Sequence, residues 1–214
     1  KELLHIYETE KEWQKAIDEA NIIQRQSGED QSTRIAQLYC ELTQQNLYFK
    51  NFKGAAEALE KALKVDPNNK RALIIKGKML KAKGDIDGAL ATWKQVGQIS
   101  PVYGTLVVEQ IASLLLEAGR KEEAVKYLED LFKDGSTTDE VDTAGILLGK
   151  AGNSKEAITL IQEHLKTQPT LVAFYRLIDL RLANEPENES LKQLHGLLKN
   201  MLSKAVRYKC TKCG

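Results

Sequence analysis

Small and apolar residues recur along this chain with a period near 34 residues, and within each period they follow the spacing of a helix. The most regular part of the pattern is a glycine followed five positions later by an alanine, as in Gly84 with Ala89. The alanines of this series are Ala16, Ala55, Ala89, Ala124 and Ala157. The first interval is 39 residues instead of 33 to 35, which predicts a longer connection around residues 27–32.

Each period predicts two antiparallel helices whose buried stripes carry small or apolar side chains. In the third period these side chains are Leu73, Ile74, Gly77 and Leu80, then Ala89, Trp93 and Val96. Gly84 is expected to end the first helix, because glycine accepts a left-handed backbone, and Asp85 is expected to cap the second helix. Pro101 cannot continue a helical hydrogen-bond ladder and is expected to end the second helix.

A period near 34 residues, with small residues and a closing proline at fixed offsets, resembles the tetratricopeptide repeat. A single helix pair of this kind cannot bury its apolar face, so neighbouring pairs must stack into a continuous core. The resemblance implies an all-α fold, a right-handed solenoid of about six helix pairs over residues 1–204. The sixth pair, residues 171–183 and 188–204, has weaker signature residues and is expected to cap the array.

Charge and motif content narrow the classes of function. The 31 basic and 30 acidic residues nearly cancel, which gives no reason to expect nucleic acid as a partner. The longest apolar run is too short to span a bilayer. The sequence contains neither a phosphate-binding glycine loop nor a constellation for nucleophilic or acid–base catalysis, and His164 is expected to be a core histidine with satisfied hydrogen bonds. We therefore predict that the protein is not an enzyme.

Cys210 and Cys213, followed by Gly214, form the pattern that points most directly to chemistry. Two thiolates three positions apart can hold one metal ion, and the glycine lets backbone N–H groups turn toward the sulfurs. A closed site needs four ligands, and the remaining cysteine, Cys40, is expected to be a packing residue on a helix. Residues 205–214 are therefore predicted to begin a truncated rubredoxin-like or zinc-ribbon domain that binds Fe or Zn. Idle thiols are the alternative.

The first helices of the pairs are expected to line a face that binds a partner segment. In the repeat register, the residues of this face are Gln37, Gln44, Tyr48, Arg71, Lys78, Lys81, Glu109, Glu117, Asp139 and Asp142. Their order predicts a basic stretch beside an acidic one. An ordinary solvated face is an equally good interpretation.

Local sequence narrows the resemblance further. The informative segments are residues 3–7, 12–18, 39–42 and 207–214, read together with the helical array and the cysteine knuckle. In combination they resemble the lipopolysaccharide assembly protein B family of Gram-negative bacteria, over the length of this chain.

The resemblance implies a membrane-tethered regulator. Members carry one N-terminal transmembrane helix, cytoplasmic tetratricopeptide repeats and a C-terminal rubredoxin-like domain with four cysteines. They act as adaptors at the inner membrane, where they help the membrane-bound AAA+ protease FtsH to degrade the deacetylase that commits carbon to lipid A. A membrane-embedded regulator of the pathway restrains them. We expect this sequence to lack the membrane helix and the second cysteine pair, so that only Cys210 and Cys213 carry over as metal ligands.

Two alternative functions follow from parts of the same pattern. A rubredoxin-type iron site could make the protein an electron carrier with an attached scaffold. A generic tetratricopeptide co-chaperone would instead bind an acidic C-terminal peptide through Arg71, Lys78 and Lys81, and it would leave the knuckle unexplained.

Overall fold

The computed structural model describes residues 2–133 and 138–204, and of residues 101, 132–133 and 138–140 it describes the backbone alone. This part of the chain contains twelve helices and no strand. The helices are α1 (Glu2–Thr9), α2 (Trp13–Ser27), α3 (Ser32–Tyr48), α4 (Phe52–Val65), α5 (Lys70–Ala82), α6 (Ile86–Ile99), α7 (Pro101–Glu117), α8 (Lys121–Lys133), α9 (Thr138–Lys150), α10 (Ser154–Thr167), α11 (Leu171–Asn184) and α12 (Glu189–Lys204).

In sequence order, the helices of the described residues group into six successive pairs, in which the odd-numbered helix is the first helix and the even-numbered one the second. This confirms the predicted all-α class and the sixth pair, which the structure forms from α11 and α12. The chain divides into two compact units, Lys1–Val107 and Val108–Gly214, and the division falls within α7. The knuckle predicted at residues 205–214 lies outside the described residues.

The turn inside a pair depends on one residue with a left-handed backbone. In the later pairs this residue is a glycine, with φ of 83° at Gly84, 72° at Gly119 and 77° at Gly152. A side chain at a positive φ strains the backbone, which is why glycine suits this position. The Asp85 side chain then accepts a hydrogen bond from the Gly88 backbone N–H at 2.9 Å, so both caps predicted for the third pair are confirmed.

The first two pairs make the same turn without a glycine. Lys11 and Lys50 occupy the equivalent positions, and both have a φ of 58°. In the second pair the turn is completed by Asn51, whose side chain accepts from the Gly54 backbone N–H at 3.1 Å. The repeat geometry thus holds two lysines in a conformation that L-residues disfavour.

A proline follows the end of three second helices at a constant offset. α4, α6 and α10 each end two residues before Pro67, Pro101 or Pro169. The residue before a proline is forced out of the helical region, and Asp66 and Ser100 are accordingly extended, with ψ of 92° and 113°. Pro101 ends α6 as predicted and is also the first residue of α7, where its missing N–H is tolerated.

The core of the first unit is built from small and branched residues. Of the stripe predicted in the third period, most residues are buried, namely Leu73, Gly77, Ala89, Trp93 and Val96, whereas Ile74 and Leu80 are only partly buried. Leu4, Ile17 and Ile35 join α1, α2 and α3, and a second cluster joins α3, α4 and α5. The α5–α6 pair closes on Gly77, where an added Cβ would overlap the indole ring of Trp93. Trp93 is 1% exposed, and its Nε1–H donates to the Ile74 carbonyl at 3.2 Å. Gly77 therefore allows the close approach that the sequence predicts.

The core of the second unit is built from the same kinds of residue. Ala144, Leu148, Ala157 and Ile161 are fully buried and join α9 to α10. Residues from α7, α8 and α11 complete the cluster, among them Val108 and Leu128. Across the described residues, none of the helices combines the length and hydrophobicity that a membrane span requires.

The long first interval has a different cause from the one predicted. The connection between α2 and α3 consists of residues 28–31, which is no longer than residues 66–69 between α4 and α5. The additional residues instead lengthen the helices, since α3 has 17 residues and α5 has 13. The prediction of a long loop was wrong, because Gly28 ends α2 with a φ of 70° and the helix restarts at Ser32.

Cys40 and His164, both expected to be buried, differ in whether they form hydrogen bonds. Cys40 is fully buried, as predicted, and its Sγ–H donates to Asn69 Oδ1 at 3.8 Å. His164 was expected to be satisfied, but its Nε2 is buried without a hydrogen-bond partner among the described residues. Burial lowers the pKa of His164.

Candidate partner-binding face

The residues predicted to face a partner lie on first helices in both units. In the first unit, Gln37, Gln44 and Tyr48 belong to α3, and Arg71, Lys78 and Lys81 belong to α5. In the second unit, Glu109 and Glu117 belong to α7, and Asp142 belongs to α9. The side chain of Asp139 lies outside the described residues. Gln44, Tyr48, Lys78, Glu109 and Glu117 are exposed, whereas Gln37, Arg71, Lys81 and Asp142 are partly buried.

In the first unit, Arg71 connects two consecutive first helices. Its Nη1 donates to Glu41 Oε1 at 2.5 Å, and its Nη2 donates to Gln44 Oε1 at 3.3 Å. Both members of the ion pair are partly buried. The Arg71 charge is therefore balanced by Glu41 on α3, which weakens the basic stretch that the sequence predicts on this face.

In the second unit, Arg176 makes the corresponding connection between α9 and α11. Its Nε donates to Asp142 Oδ1 at 2.7 Å, and its Nη1 donates to Asp179 Oδ2 at 2.7 Å. Burial lowers the pKa of Arg176, but the hydrogen bonds and charges of Asp142 and Asp179 outweigh it, so the pKa rises above its ordinary value. The predicted acidic position Asp142 is thus engaged by a neighbouring first helix.

The same cluster extends to the last helix. His195 Nε2 lies 3.2 Å from Asp179 Oδ1, and the His195 ring stacks on Tyr175 with their centroids 4.9 Å apart. Asp179 therefore lies between a guanidinium and an imidazole. This arrangement holds α12 against α11.

A third link of this kind joins α1 to α3. Arg34 Nη2 lies 2.8 Å from Glu8 Oε2. In each link, an arginine contacts an acid on the preceding first helix, and in the second unit the two residues are 34 positions apart. The individual pairs were missed by our sequence reasoning. A search for opposite charges spaced one repeat apart would have found the pair of Asp142 and Arg176.

In both units, arginines and acids of this face therefore compensate one another. Of the predicted residues in the first unit, Gln44, Tyr48 and Lys78 are exposed. Tyr48 is 82% exposed and meets Phe49 edge to face, with the ring centroids 5.2 Å apart. The role of this face in binding a partner stays a prediction.

Among the side chains described in residues 2–133 and 138–204, no group of three or more metal-ligating residues occurs. The predicted ligands Cys210 and Cys213 lie outside that part of the chain. Cys40 is unsuited to metal binding or nucleophilic chemistry, because burial raises the pKa of its thiol to about 11.

Comparison with known families decides the fold family. The model of the tetratricopeptide repeat-like domain matches residues 21–187. The chain belongs to the tetratricopeptide repeat-like family. Its stacked helix pairs, with glycine turns and buried alanines at repeat intervals, are those expected of tetratricopeptide repeats.

Curated relatives confirm the narrower resemblance found in the sequence. The tetratricopeptide chain is 30% identical over 218 residues to lipopolysaccharide assembly protein B of Escherichia coli strain K12, and the match covers 100% of this chain and 56% of that protein. It is 27% identical to lipopolysaccharide assembly protein B of Haemophilus influenzae, with 54% of that protein covered. The chain thus spans about half the length of the curated relatives it matches.

Solved structures share the tetratricopeptide fold at low sequence identity. BtubC (BKLC) from P. vanneervenii matches with a TM-score of 0.56 and 12% identity, covering 95% of this chain and 94% of that one. PilF of Pseudomonas aeruginosa matches with a TM-score of 0.52 and 17% identity, covering 84% of this chain and 80% of that one. These likenesses concern the fold alone.

Proposed function

We propose that this chain is the scaffold part of a non-catalytic adaptor that regulates lipopolysaccharide synthesis at the cytoplasmic face of the bacterial inner membrane. The observation that carries the proposal is the 30% identity to lipopolysaccharide assembly protein B along 100% of this chain. The adaptor presents the committed lipid A deacetylase to the membrane-bound protease FtsH, and a membrane-embedded regulator of the pathway restrains it. Membrane attachment is through an N-terminal helix, as in the family that the sequence resembles.

Links between helices within each unit support a scaffold role. Arg71 links α5 to α3 in the first unit, and Arg176 links α11 to α9 in the second. Buried clusters join neighbouring helices within each unit. A stack of this kind holds side chains from several repeats at fixed spacing, which suits the binding of a protein surface. The side chains of Asp179 and His195 contact each other and so connect α11 to α12, and Asp179 also contacts Arg176.

The adaptor function is tested in the bacterium that encodes the protein, by depletion of the full-length protein and measurement of the deacetylase half-life after synthesis is blocked. Loss of the adaptor should lengthen the half-life several-fold and raise the lipopolysaccharide content, and re-expression should restore both. The purified full-length protein should also accelerate degradation of the deacetylase by FtsH. An unchanged half-life, together with no effect on the purified protease, would rule the function out.

Cys210 and Cys213 are proposed as two of four thiolate ligands of a structural metal site, with Fe or Zn as the ion. A Cys210→Ser/Cys213→Ser variant of the full-length protein should lose stoichiometric metal and also let the deacetylase accumulate. Zinc in the purified protein would exclude electron transfer, since Zn²⁺ has no redox chemistry. Metal-free wild-type protein with an unaffected variant would remove the metal site from the mechanism.

A further inference from the structure

An apolar groove lies between α4 and α5 in the first unit. Its floor consists of Leu59 and Leu63 from α4 with Met79 and Leu80 from α5, and its volume is about 490 Å³. The groove is formed by the side of α5 that carries Lys76 and Leu80. Because a helix turns by about 100° per residue, this side is opposite the one that carries Lys78, so the groove lies outside the face described above.

Three lysines surround this floor. Lys64, Lys76 and Lys83 line the groove and are exposed, and Glu60 is the one acidic residue that lines it within the described chain. None of the three lysines makes an ion pair with a residue that the structure describes. By contrast, three arginines of the first helices, Arg34, Arg71 and Arg176, are compensated by acids. The groove thus carries an uncompensated positive charge around an apolar surface.

The apolar surface continues beyond the groove toward the α3–α4 turn. A neighbouring hollow of about 340 Å³ is lined by Leu47 and Phe52 and shares Met79 and Lys83 with the groove. Phe52 is 66% exposed. From Phe52 to Leu63, α4 advances by about 16 Å, which matches about three turns of a bound helix.

We propose that the α4–α5 groove binds an amphipathic helix of a partner protein, with leucine or phenylalanine on one side and aspartate or glutamate at its flanks. The apolar ridge of such a helix, spaced i, i+3, i+4 and i+7, fits a groove between two helices. The flexible Met79 side chain can adapt to the shape of the ridge. Because α4 and α5 use their backbone groups internally, they offer no edge to which an extended strand could add.

Charge decides the occupant. Three unpaired lysines against Glu60 attract acidic flanks and repel basic ones. The described end of this chain does not meet that requirement, since Lys199 and Lys204 are basic and exposed. A lipid surface is flat on this scale and cannot fill a concave groove. The partner is therefore an acidic helix of another protein, which deepens the adaptor function proposed above.

The groove can be tested by fluorescence anisotropy on this chain. The probe is a fluorescein-labelled helical peptide of about 15 residues, which gives about four turns, with leucines at i, i+3, i+4 and i+7 and glutamate at the exposed positions. A second peptide keeps the leucines and replaces each glutamate by lysine. The acidic peptide should bind with a dissociation constant on the order of 10 μM and at least about 10-fold more tightly than the basic one.

Variants locate the binding to the groove. Lys64→Glu/Lys76→Glu/Lys83→Glu should reverse the preference between the two peptides, and Phe52→Gln should weaken the acidic peptide by about fivefold. The matched control Lys94→Glu/Lys126→Glu/Lys199→Glu changes the net charge equally at exposed positions elsewhere, and it should retain the wild-type preference. Circular dichroism and thermal unfolding establish that each variant is folded.

Several outcomes would overturn the proposal. They are equal affinity for the two peptides, no saturation by either, or loss of the preference in the control variant as well. Binding of anionic phosphatidylserine vesicles without binding of the acidic peptide would assign the surface to lipid instead. A failure here would leave the deacetylase half-life experiment untouched, so the groove and the adaptor function are tested separately.

Discussion

Lys11 and Lys50 hold a backbone conformation that later repeats give to glycine. Their φ of 58° lies in the left-handed region, whose cost for a residue with a Cβ is about 1 kcal/mol. Both lysines are exposed, so side-chain packing does not explain their presence. The interactions that form the rest of the repeat must therefore offset this backbone strain.

A Lys50→Gly variant should therefore be more stable than the wild type. Relief of the strain, partly offset by the greater entropy of glycine in the unfolded chain, should raise the free energy of unfolding by about 0.5 kcal/mol. Urea unfolding followed by circular dichroism measures this change. The control Lys94→Gly places the same substitution inside α6 and should lower the free energy of unfolding by about 1 kcal/mol. A loss of stability in both variants would contradict the strain.

Cys40 should make the stability of the protein sensitive to alkaline pH. Burial raises the pKa of its thiol to about 11, with Arg71 opposing this and Glu41 and Asp66 adding to it. The unfolded thiol ionises near pH 9, so the protonated native form contributes its full stability below that pH and loses it as the pH rises toward 11.

Between pH 9 and 11, the wild type should therefore lose up to about 2 kcal/mol more stability than a Cys40→Ala variant does. Urea unfolding at closely spaced pH values measures the difference. The Cys40→Ala variant is the reference, since it keeps the lysines and tyrosines that titrate in the same range. Parallel pH profiles for the two proteins would show that the thiol is not the group responsible.

Single residues could be predicted from the sequence where a position accepts only a few types of side chain. Gly84 and Asp85 were predicted as caps because few side chains suit those positions, and the structure confirms both. Lys11 and Lys50 could be found only from the repeat register, since nothing in a lysine side chain favours a positive φ. His164 was misjudged because a hydrogen-bond partner depends on neighbours that are distant in sequence.

At the scale of helices, the α5–α6 pair is set by one glycine and one tryptophan. Gly77 lies directly beneath the indole ring of Trp93, and the ring is fixed by its hydrogen bond to the Ile74 carbonyl. A methyl group at position 77 cannot be accommodated unless the two helices separate.

Gly77→Ala should accordingly lower the free energy of unfolding by about 3 kcal/mol, although alanine is the better helix former. Gly196→Ala is the matched control, since a Cβ there meets nothing within 4 Å, and it should raise stability by about 0.5–1 kcal/mol. Combining Gly77→Ala with Trp93→Leu should cost less than the sum of the single changes. Additive costs would mean that the ring does not press on the glycine.

The pairing of helices was predictable because small residues and prolines repeat with the fold. The length of each helix was not, since the additional residues between Ala16 and Ala55 could extend either a loop or a helix. The helical spacing of Ile35, Leu38 and Leu42 favours a longer helix. In the structure the additional residues belong to α3, which has 17 residues.

At the scale of the whole molecule, stability is distributed over local cores. The cluster around α1–α3, the cluster around α3–α5 and the larger cluster of the second unit each draw on adjacent helices. The arginine links between first helices are exposed or partly buried and contribute about 0–1 kcal/mol each, so burial of apolar side chains dominates.

A cavity in one core should therefore act mainly on its own neighbourhood. Leu148 is fully buried, and Leu148→Ala should cost about 3 kcal/mol. Native-state hydrogen exchange should show the largest loss of protection in α9, α10 and α11, and the smallest in α1–α4. A uniform loss over all described helices would instead indicate a single cooperative unit.

The additional turn in α3 shows how an array of this kind can change length without losing its fold. Four inserted residues advance a helix by one turn and rotate later side chains by only about 40°, so the buried stripe keeps facing its neighbours. An insertion of two residues would turn the same stripe toward solvent. Insertions or deletions of a whole turn are therefore the changes in helix length that such a protein tolerates in a single event. Homologues are expected to differ by three or four residues within their helices.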